Sequence, residues 1–255
     1  MTHAAGITEV KNMISVRTAT LPQDYRKLSK KTIREALPSF MFYKAKDETP
    51  EPVPLPTKQD GWTTVINKRA AKRQKKLARK IRLRARWVGG GHRQKRSDIL
   101  DERIAPTARS TTHNILLSIA AKERRQLLVG DIPSAYLQAE HKPADGEPVH
   151  IIADKHTSKL IAEAHPEYSD FIMPNGTMIL KVQKAMYGLV ESAWLWYKEL
   201  EKHLLNIRYK VSAHDRALFY KNIMENGECI ASNIASVHVD DIASVLGFKV
   251  VVVVV

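Results

Sequence analysis

The sequence predicts an α+β fold, in which an antiparallel β-sheet carries helices on one of its faces. Two strand-like apolar runs contain acidic residues: Asp131 ends one, and the adjacent Asp240 and Asp241 interrupt the other. Apolar residues at helical spacing predict helices over 112–125 and 192–205. At 255 residues the chain can bury a sizeable core, as one large domain or as two lobes.

The first third of the chain predicts short elements around a linker. Residues 46–60 carry four prolines and alternating charge, which is typical of a linker or an exposed loop. Good helix formers without a breaker predict a basic helix over 66–80. Arg82–Val88 alternates basic and apolar residues, which predicts a strand with one basic face, and Gly89–Gly91 predicts a flexible turn after it.

The rest of the chain alternates helices and strands. Thr111 or Thr112 is a candidate N-cap for the first of the two predicted helices. A strand over Leu127–Ile132 should end at Pro133. The further expected elements are strands at 149–152, 178–182, 219–221 and 230–239, a helix at 158–164, and a hairpin turn at 225–227.

Composition excludes several classes of protein. A single cysteine, Cys229, rules out an internal disulfide framework and fits a reducing compartment. The N-terminus resembles neither a signal peptide nor a lipidation site, and no apolar run approaches the roughly 20 residues of a membrane span. The expectation is an intracellular protein without a membrane partner, and the sequence leaves open whether it is cytoplasmic or nuclear.

The net charge of +14 comes from one block of sequence. Residues 61–97 hold 14 basic residues and no acidic one, while the remainder has 27 of each sign. Such a block predicts contact with phosphate backbones, and a solvated helix face or a nuclear-import tract is the alternative. The candidate nucleic-acid ligands are Lys72, Arg73, Lys75, Lys76, Arg79 and Lys80.

Asp131, Asp240 and Asp241 together suggest a divalent-metal site. Neighbouring carboxylates between β-branched residues repel each other unless a cation offsets their charge. Two carboxylates on adjacent strands can bridge two ions about 4 Å apart, and their hard oxygen ligands favour Mg²⁺, with Mn²⁺ as a second option. A solvated turn is the alternative for Asp240-Asp241, but its apolar flanks favour a buried hairpin.

Four motif-like segments follow one another along the chain. They are Arg84-Ala85-Arg86-Trp87-Val88 with its glycines and Gln94, Asp131-Ile132-Pro133-Ser134-Ala135-Tyr136-Leu137, Lys184-Ala185-Met186-Tyr187-Gly188-Leu189, and Val237-His238-Val239-Asp240-Asp241-Ile242. In this order they resemble the reverse transcriptase domain of copia-type (Pseudoviridae) retrotransposon polyproteins. A further step, Asp215 with Leu218-Phe219, fits the same family, and the resemblance spans roughly residues 80–246.

The resemblance implies a role for each matching position. The three aspartates would be the catalytic metal ligands of RNA-directed DNA polymerisation, with a template-primer and deoxynucleoside triphosphates as partners. Tyr136 would exclude a 2′-hydroxyl, and Arg84 or Arg86 would approach the triphosphate, although alternation does not decide between two residues on one face. Residues expected to line the nucleotide pocket are Ala135, Tyr136, Tyr187 and Gly188.

The resemblance also implies a right-hand polymerase fold. Residues 1–60 would begin the fingers and include the linker, 61–110 would be a basic fingers segment, and 111–249 would form the palm. A fingers insertion is expected at about 141–190, and 250–255 is a poly-valine tail without an assigned role. The chain ends soon after Leu246, so we expect a fragment without a thumb, completed by other polyprotein domains or a second subunit.

Departures from the family pattern leave alternatives open. The turn after Leu189 usually continues Lys-Gln-Ser-Pro, whereas this chain has Val190-Glu191-Ser192-Ala193, and Pro133 is unusual in its motif. One alternative is a catalytically inactive, nucleic-acid-binding remnant of a mobile element. Another is a nuclease-like two-metal site, which the aromatic residue after Asp131 disfavours.

Overall fold

The computed structural model describes residues 2–15, 20–47, 81–94, 104–141 and 148–247. Several predictions fall outside these ranges: the basic helix over 66–80, most of the 46–60 linker, the poly-valine tail, and all six candidate nucleic-acid ligands between Lys72 and Lys80. Among the described residues, no helix is long and apolar enough to cross a membrane.

The described residues form helices and strands in the following order. The helices are α1 (Thr2–Ser15), α2 (Lys30–Glu35), α3 (Ser110–Lys122), α4 (Lys155–Ala164) and α5 (Ser192–Asn206). The strands are β1 (Thr20–Pro22), β2 (Leu37–Asp47), β3 (Ile81–Gly89), β4 (Leu127–Asp131), β5 (His150–Ala153), β6 (Met178–Val182), β7 (Lys210–Val211), β8 (Leu218–Glu225), β9 (Glu228–His238) and β10 (Asp241–Val245).

The first sheet has the strand order β1-β6-β5-β2-β3. Its neighbours are antiparallel except β2 and β5, which run parallel. Helices α1 and α4 supply much of its core: Val10, Met13, Leu160 and Ile161 are almost completely buried beside strand residues such as Ile151. The core of the first sheet therefore depends on one helix that precedes all its strands and on another that lies between β5 and β6.

Helix α1 lies against β3, the strand at the edge of the first sheet. The Glu9 carboxylate accepts a hydrogen bond from the backbone N–H of Trp87 at 3.1 Å, so it satisfies a donor that the strand ladder leaves unpaired. The Trp87 indole is fully buried and donates to the Ser39 hydroxyl at 3.0 Å. Burial raises the pKa of Glu9 despite this hydrogen bond and the nearby Arg86 charge.

The second sheet is antiparallel throughout, with the order β4-β10-β9-β8-β7. The predicted β8–β9 hairpin is confirmed, because Asn226 and Gly227 both have positive φ at its turn. The acidic strand β4 lies at the edge of this sheet and all five of its residues are exposed, with Val129 74% accessible.

The two long helices of this region cover opposite faces of the second sheet. Strand side chains alternate between faces: α3 packs its Leu116 against Ile234 and Val245, and α5 belongs to a separate cluster with Phe219 and Val237. The prediction of helices on one face was therefore wrong. Both sides of β9 are apolar, so each side requires its own cover.

Helix α3 begins at Ser110, and a residue far away in sequence satisfies its first turn. The Asp215 carboxylate accepts hydrogen bonds from the Arg109 N–H at 3.3 Å and from the Thr112 hydroxyl at 2.5 Å. It also accepts one from the Ala217 N–H. The expected threonine N-cap was wrong, since Arg109 occupies the cap position and Thr112 donates to the distant carboxylate.

Replacing Asp215 by asparagine should lower the free energy of unfolding near neutral pH by about 1 kcal/mol, as for loss of a helix cap. Burial raises the pKa of Asp215, but the hydrogen bonds from Thr112, Ala217 and Arg109 outweigh it and lower the pKa. The stabilisation is thus complete above the unfolded-state pKa of about 3.9 and is lost as pH falls through the lower folded-state value.

Urea denaturation of wild type and of this variant between pH 7 and pH 2 measures the effect. The difference in free energy of unfolding should shrink below about pH 4. Substituting the exposed Asp170 with asparagine provides the control and should leave the curve unchanged. A difference that stays constant down to pH 2 would show that the Asp215 charge does not support α3.

Candidate active site

The three candidate aspartates lie at one end of the second sheet. Asp131, the last residue of β4, is the cross-strand partner of Asp241, the first residue of β10. The backbone carbonyl of Asp240, in the turn before β10, accepts a hydrogen bond from the Ile132 N–H at 2.9 Å. The fold thus brings Asp131 and Asp240, which are 109 positions apart in the sequence, to neighbouring positions at this end of the sheet.

The Asp131 and Asp241 side chains share one face of the sheet, because they are direct cross-strand partners. Such partners have Cβ atoms about 5 Å apart, so two carboxylates there repel each other. Both residues are exposed, and neither takes part in an ion pair formed within the described part of the chain. This uncompensated pair of negative charges suits a divalent cation.

Asp240 does not join that pair. Across the described ranges, no group of three or more His, Cys, Asp or Glu side chains is arranged to hold a metal ion. The charge of Asp240 acts instead on two tyrosines, whose pKa values it helps to raise. The structure therefore brings together two of the predicted ligands and places the third beside an aromatic pair.

The turn that presents Asp240 has a strained backbone. Val239 has φ of +59°, a left-handed conformation that a β-branched residue rarely adopts. Its carbonyl accepts a hydrogen bond from the Trp196 indole at 2.7 Å, which ties the turn to α5. Strain of this kind, in a turn that contains one acidic residue and leads into another, is typical of functional sites.

Tyr136, Tyr187 and Arg86 line up beside Asp240. The two tyrosine rings lie 5.0 Å apart, and the Arg86 guanidinium carbon is 4.5 Å from the centre of the Tyr187 ring. Burial raises the pKa of Tyr136, with a further increase from Asp240 that Arg86 partly offsets. Burial also raises the pKa of Tyr187, where Arg86 acts in the opposite direction.

This arrangement distinguishes the two arginines that alternation left equivalent. Arg86 stacks on Tyr187. Arg84, two residues earlier on the same face and exposed like Arg86, pairs across the strands with Lys44 and makes no ring contact within the described residues. Arg86 is thus the arginine that belongs to the group of aromatic residues at the aspartate end.

A sharp turn after β4 aims Tyr136 toward the site. Pro133 ends the strand, and Ser134 has φ of +53° before the short 3-10 helix Ala135–Gln138. Ala135 is 2% exposed and packs in the core with α5 residues such as Trp194. Ala135 is therefore a core residue at the start of this 3-10 helix.

Gly188 allows β3 to approach the Tyr187 turn closely. Gly188 has φ of +91°, and a Cβ there would overlap the Gly89 carbonyl and the Val88 side chain. Hydrogen bonds from the Gly89 N–H to the Tyr187 carbonyl (2.8 Å) and from the Gly91 N–H to the Gly188 carbonyl (3.1 Å) join the two segments. The flexible turn predicted for Gly89–Gly91 was wrong, since these glycines pack against backbone.

Sequence reasoning gave no role to four polar residues near this site. Glu9 comes from α1, while Gln94, His141 and Glu191 form a hydrogen-bonded group. Glu191 stands out only as a departure from the usual Lys-Gln-Ser-Pro turn. For His141 the sequence offered no signal, because its partner lies 50 residues away.

The comparisons with known proteins agree with one another. A family model described as "Reverse transcriptase (RNA-dependent DNA polymerase)" matches residues 53–250. The chain is 29% identical over 161 residues to the retrovirus-related Pol polyprotein from transposon RE1 of Arabidopsis thaliana, a match that covers 63% of the chain and 10% of that polyprotein.

Two further relatives have the same description. The Pol polyprotein from transposon RE2 of Arabidopsis thaliana is 27% identical over 161 residues, again 63% of the chain and 10% of the relative. That from transposon TNT 1-94 of Nicotiana tabacum is 24% identical over 148 residues, or 57% of the chain and 10% of the relative. The matches thus span about a tenth of each relative, and no solved structure matches the chain.

Proposed function

Because the chain belongs to the reverse transcriptase (RNA-dependent DNA polymerase) family of copia-type retrotransposons, we propose that it adds deoxynucleotides to a primer on an RNA or DNA template. We assign the second sheet with its helices to the palm and the first sheet to the fingers. β5 and β6 lie within the fingers insertion expected at about 141–190, and their place in the first sheet supports this assignment.

One observation carries the proposal: the opposed Asp131 and Asp241 lie beside the turn that holds Asp240 next to Tyr136, Tyr187 and Arg86. An acidic strand end is thus adjacent to an aromatic and cationic surface. Carboxylates suit divalent cations, whereas an arginine and two aromatic rings suit a triphosphate and a base or sugar.

We assign Asp131, Asp240 and Asp241 as ligands of two Mg²⁺ ions, with Mn²⁺ as a substitute. The exposed, uncompensated Asp131–Asp241 pair fits this role, and Asp240 would complete the set by turning its side chain toward the pair. Bound ions of this kind lower the pKa of an attacking hydroxyl and neutralise phosphate charge.

The remaining residues would bind and select the nucleotide. Tyr136 would lie under the sugar and exclude a 2′-hydroxyl, while Ala135 beneath it fixes its position. Arg86 would donate paired hydrogen bonds to the triphosphate, a geometry that arginine favours over lysine. Tyr187 and Gly188 would form the adjoining wall, and the basic residues from Lys72 to Lys80 would bind the template-primer backbone.

Primer extension tests the proposal. Wild-type protein should incorporate dTTP on a poly-rA template with an oligo-dT primer and Mg²⁺, and chelation with EDTA should stop it. Because the matched relatives are far longer polyproteins, a parallel reaction should include the adjoining polyprotein domains. Absence of incorporation in both reactions would contradict the proposal.

The inactive, nucleic-acid-binding remnant remains the second candidate. The observation that favours it is the lack of any preformed group of three metal-binding side chains in the described residues. It predicts binding to the template-primer without incorporation, weakened by salt as phosphate contacts require. Neutralising the basic residues from Lys72 to Lys80 should then abolish binding.

The two arginines of β3 should differ in their effect on the nucleotide. Arg86→Ala should raise the KM for dTTP by about 10- to 100-fold, the value of charge-assisted hydrogen bonds in a binding site. Arg84→Ala is the matched control and should change this KM by less than about threefold, as expected for an exposed charge. Equal effects of the two substitutions on the KM would contradict the assignment of Arg86.

A further inference from the structure

Three polar side chains form a hydrogen-bonded group, here termed the Glu191 cluster: the buried His141 and Glu191 and the partly buried Gln94. The His141 Nε2 lies 2.5 Å from the Glu191 Oε1, and both side chains are at most 1% exposed. The Gln94 amide nitrogen lies 3.0 Å from each oxygen of the same carboxylate.

The cluster holds a charge away from water. Burial raises the pKa of Glu191, but the hydrogen bond and charge of His141 and the Gln94 amide outweigh it, so the pKa lies below its usual range. A buried carboxylate is costly unless its hydrogen bonds are made. The positions of the groups that donate to the Glu191 carboxylate are therefore strongly constrained. The other ring nitrogen of His141, Nδ1, is buried without a hydrogen-bond partner in the described structure.

Each member of the cluster belongs to a segment that also carries a pocket residue. Gln94 follows the glycine turn after Arg86, His141 follows the 3-10 helix of Tyr136, and Glu191 follows the Tyr187–Gly188 turn. Backbone contacts extend these links, since the Gln94 side-chain oxygen accepts from the Val190 N–H at 2.8 Å and the His141 N–H donates to the Gln183 carbonyl at 2.9 Å.

No member of the cluster lies in the line of Arg86, Tyr187 and Tyr136 itself. The cluster joins the three segments through these side-chain and backbone hydrogen bonds. Replacement of Glu191 leaves the His141 ring and the Gln94 amide without their shared acceptor, and replacement of either of those residues leaves the carboxylate with one side-chain donor. In each case the three segments lose part of their common anchor.

We propose that the Glu191 cluster is a positioning device for the nucleotide pocket, which holds Arg86, Tyr136 and Tyr187 at the spacing that binds a deoxynucleoside triphosphate. This inference rests on the proposed function. Glu191, His141 and Gln94 are thus positioning residues, and the family's usual glutamine at position 191 is replaced by a carboxylate that pairs with His141.

Glu191→Gln keeps the shape of the side chain and removes its charge. It also replaces one of the two oxygens that accept from the Gln94 amide with an NH₂ group, which cannot accept. It should raise the KM for dTTP about tenfold, with kcat and the KM for template-primer within twofold of wild type. Glu199→Gln, a change on the same helix at a more exposed residue, should alter none of these constants. An unchanged dTTP KM, or equal rises for both substrates, would overturn the proposal.

A double substitution separates positioning from stability. His141→Leu alone should lower the Tm, because it leaves the buried Glu191 carboxylate without its histidine partner and with the Gln94 amide as its remaining side-chain donor. The double variant with Glu191→Leu removes both polar groups and should recover most of the Tm, yet its dTTP KM should stay raised. If the double variant recovers the KM together with the Tm, the cluster is only structural.

Hydrogen exchange decides the question without activity. The Gly91 and Val190 amides donate to the Gly188 carbonyl and the Gln94 side chain. Both should exchange faster in Glu191→Gln than in Glu199→Gln, and equal exchange would count against the cluster. An inactive wild type would contradict the proposed function alone, whereas an active wild type with unaffected variants would contradict this inference alone.

Discussion

Replacing Asp240 by asparagine should reduce dTTP incorporation by about a thousandfold or more, because the substitution removes a carboxylate that we propose as a ligand of ions that would stabilise developing phosphate charge. Asp131→Asn should have a similar effect. The KM for template-primer should stay near the wild-type value, since phosphate binding relies on basic residues. Primer extension with quantified product measures the loss, and the exposed Asp170→Asn is the control.

Metal removal gives a second, independent reading of the same site. Mg²⁺ should raise the Tm of wild type by binding only the folded state, and EDTA should reverse the change. In EDTA, Asp131→Asn should be slightly more stable than wild type, by up to about 1 kcal/mol, because the repulsion from Asp241 is gone. A Tm for wild type that does not respond to Mg²⁺ would argue against a metal site at these strand ends.

Gly188→Ala should be among the most destabilising single substitutions in the described structure, at roughly 3–5 kcal/mol. Two costs combine at this position: φ of +91° and the overlap of a new Cβ with the Gly89 carbonyl. Separation of β3 from the Tyr187 turn would relieve the overlap, but it would break the backbone hydrogen bonds between them. Urea denaturation with an unchanged m-value measures the loss.

Gly227→Ala isolates the first of these costs. Gly227 also has positive φ, at +86°, but a Cβ there meets nothing within 4 Å. Only the left-handed backbone should matter, which costs about 1–2 kcal/mol. The difference between the two variants therefore measures the close approach itself, and equal losses would show that β3 and the turn are not in tight contact.

The sequence allowed a good prediction of the second sheet and its acidic strand ends. Apolar runs around Asp131 and Asp240-Asp241, together with Asn226-Gly227, are local signals, and the strands and hairpin follow them. Helices α3 and α5 were predicted within a few residues at each end, because apolar spacing reports burial. The buried Trp194, Trp196 and Tyr197 belong to the core of α5.

Long-range contacts were beyond prediction from local pattern. The Asp215 carboxylate at the start of α3 and the His141–Glu191 pair join residues far apart in sequence, and no periodicity encodes such pairs. The two-faced cover of the second sheet was missed for a related reason, since a largely apolar strand such as β9 shows that both faces need cover but not which helix covers each. The sequence likewise does not distinguish a glycine in an open turn, such as Gly227, from one packed against backbone, such as Gly188.

Helix α1 shows that the unit detected by homology differs from the unit that folds. The family match begins at residue 53. However, Val10 and Met13 of α1 are buried against the first sheet, and every residue of β3 pairs with a residue of β2. Glu9 reaches the amide next to Arg86. Divergence upstream of the matched region can therefore change the surroundings of Arg86 while leaving every recognisable motif intact.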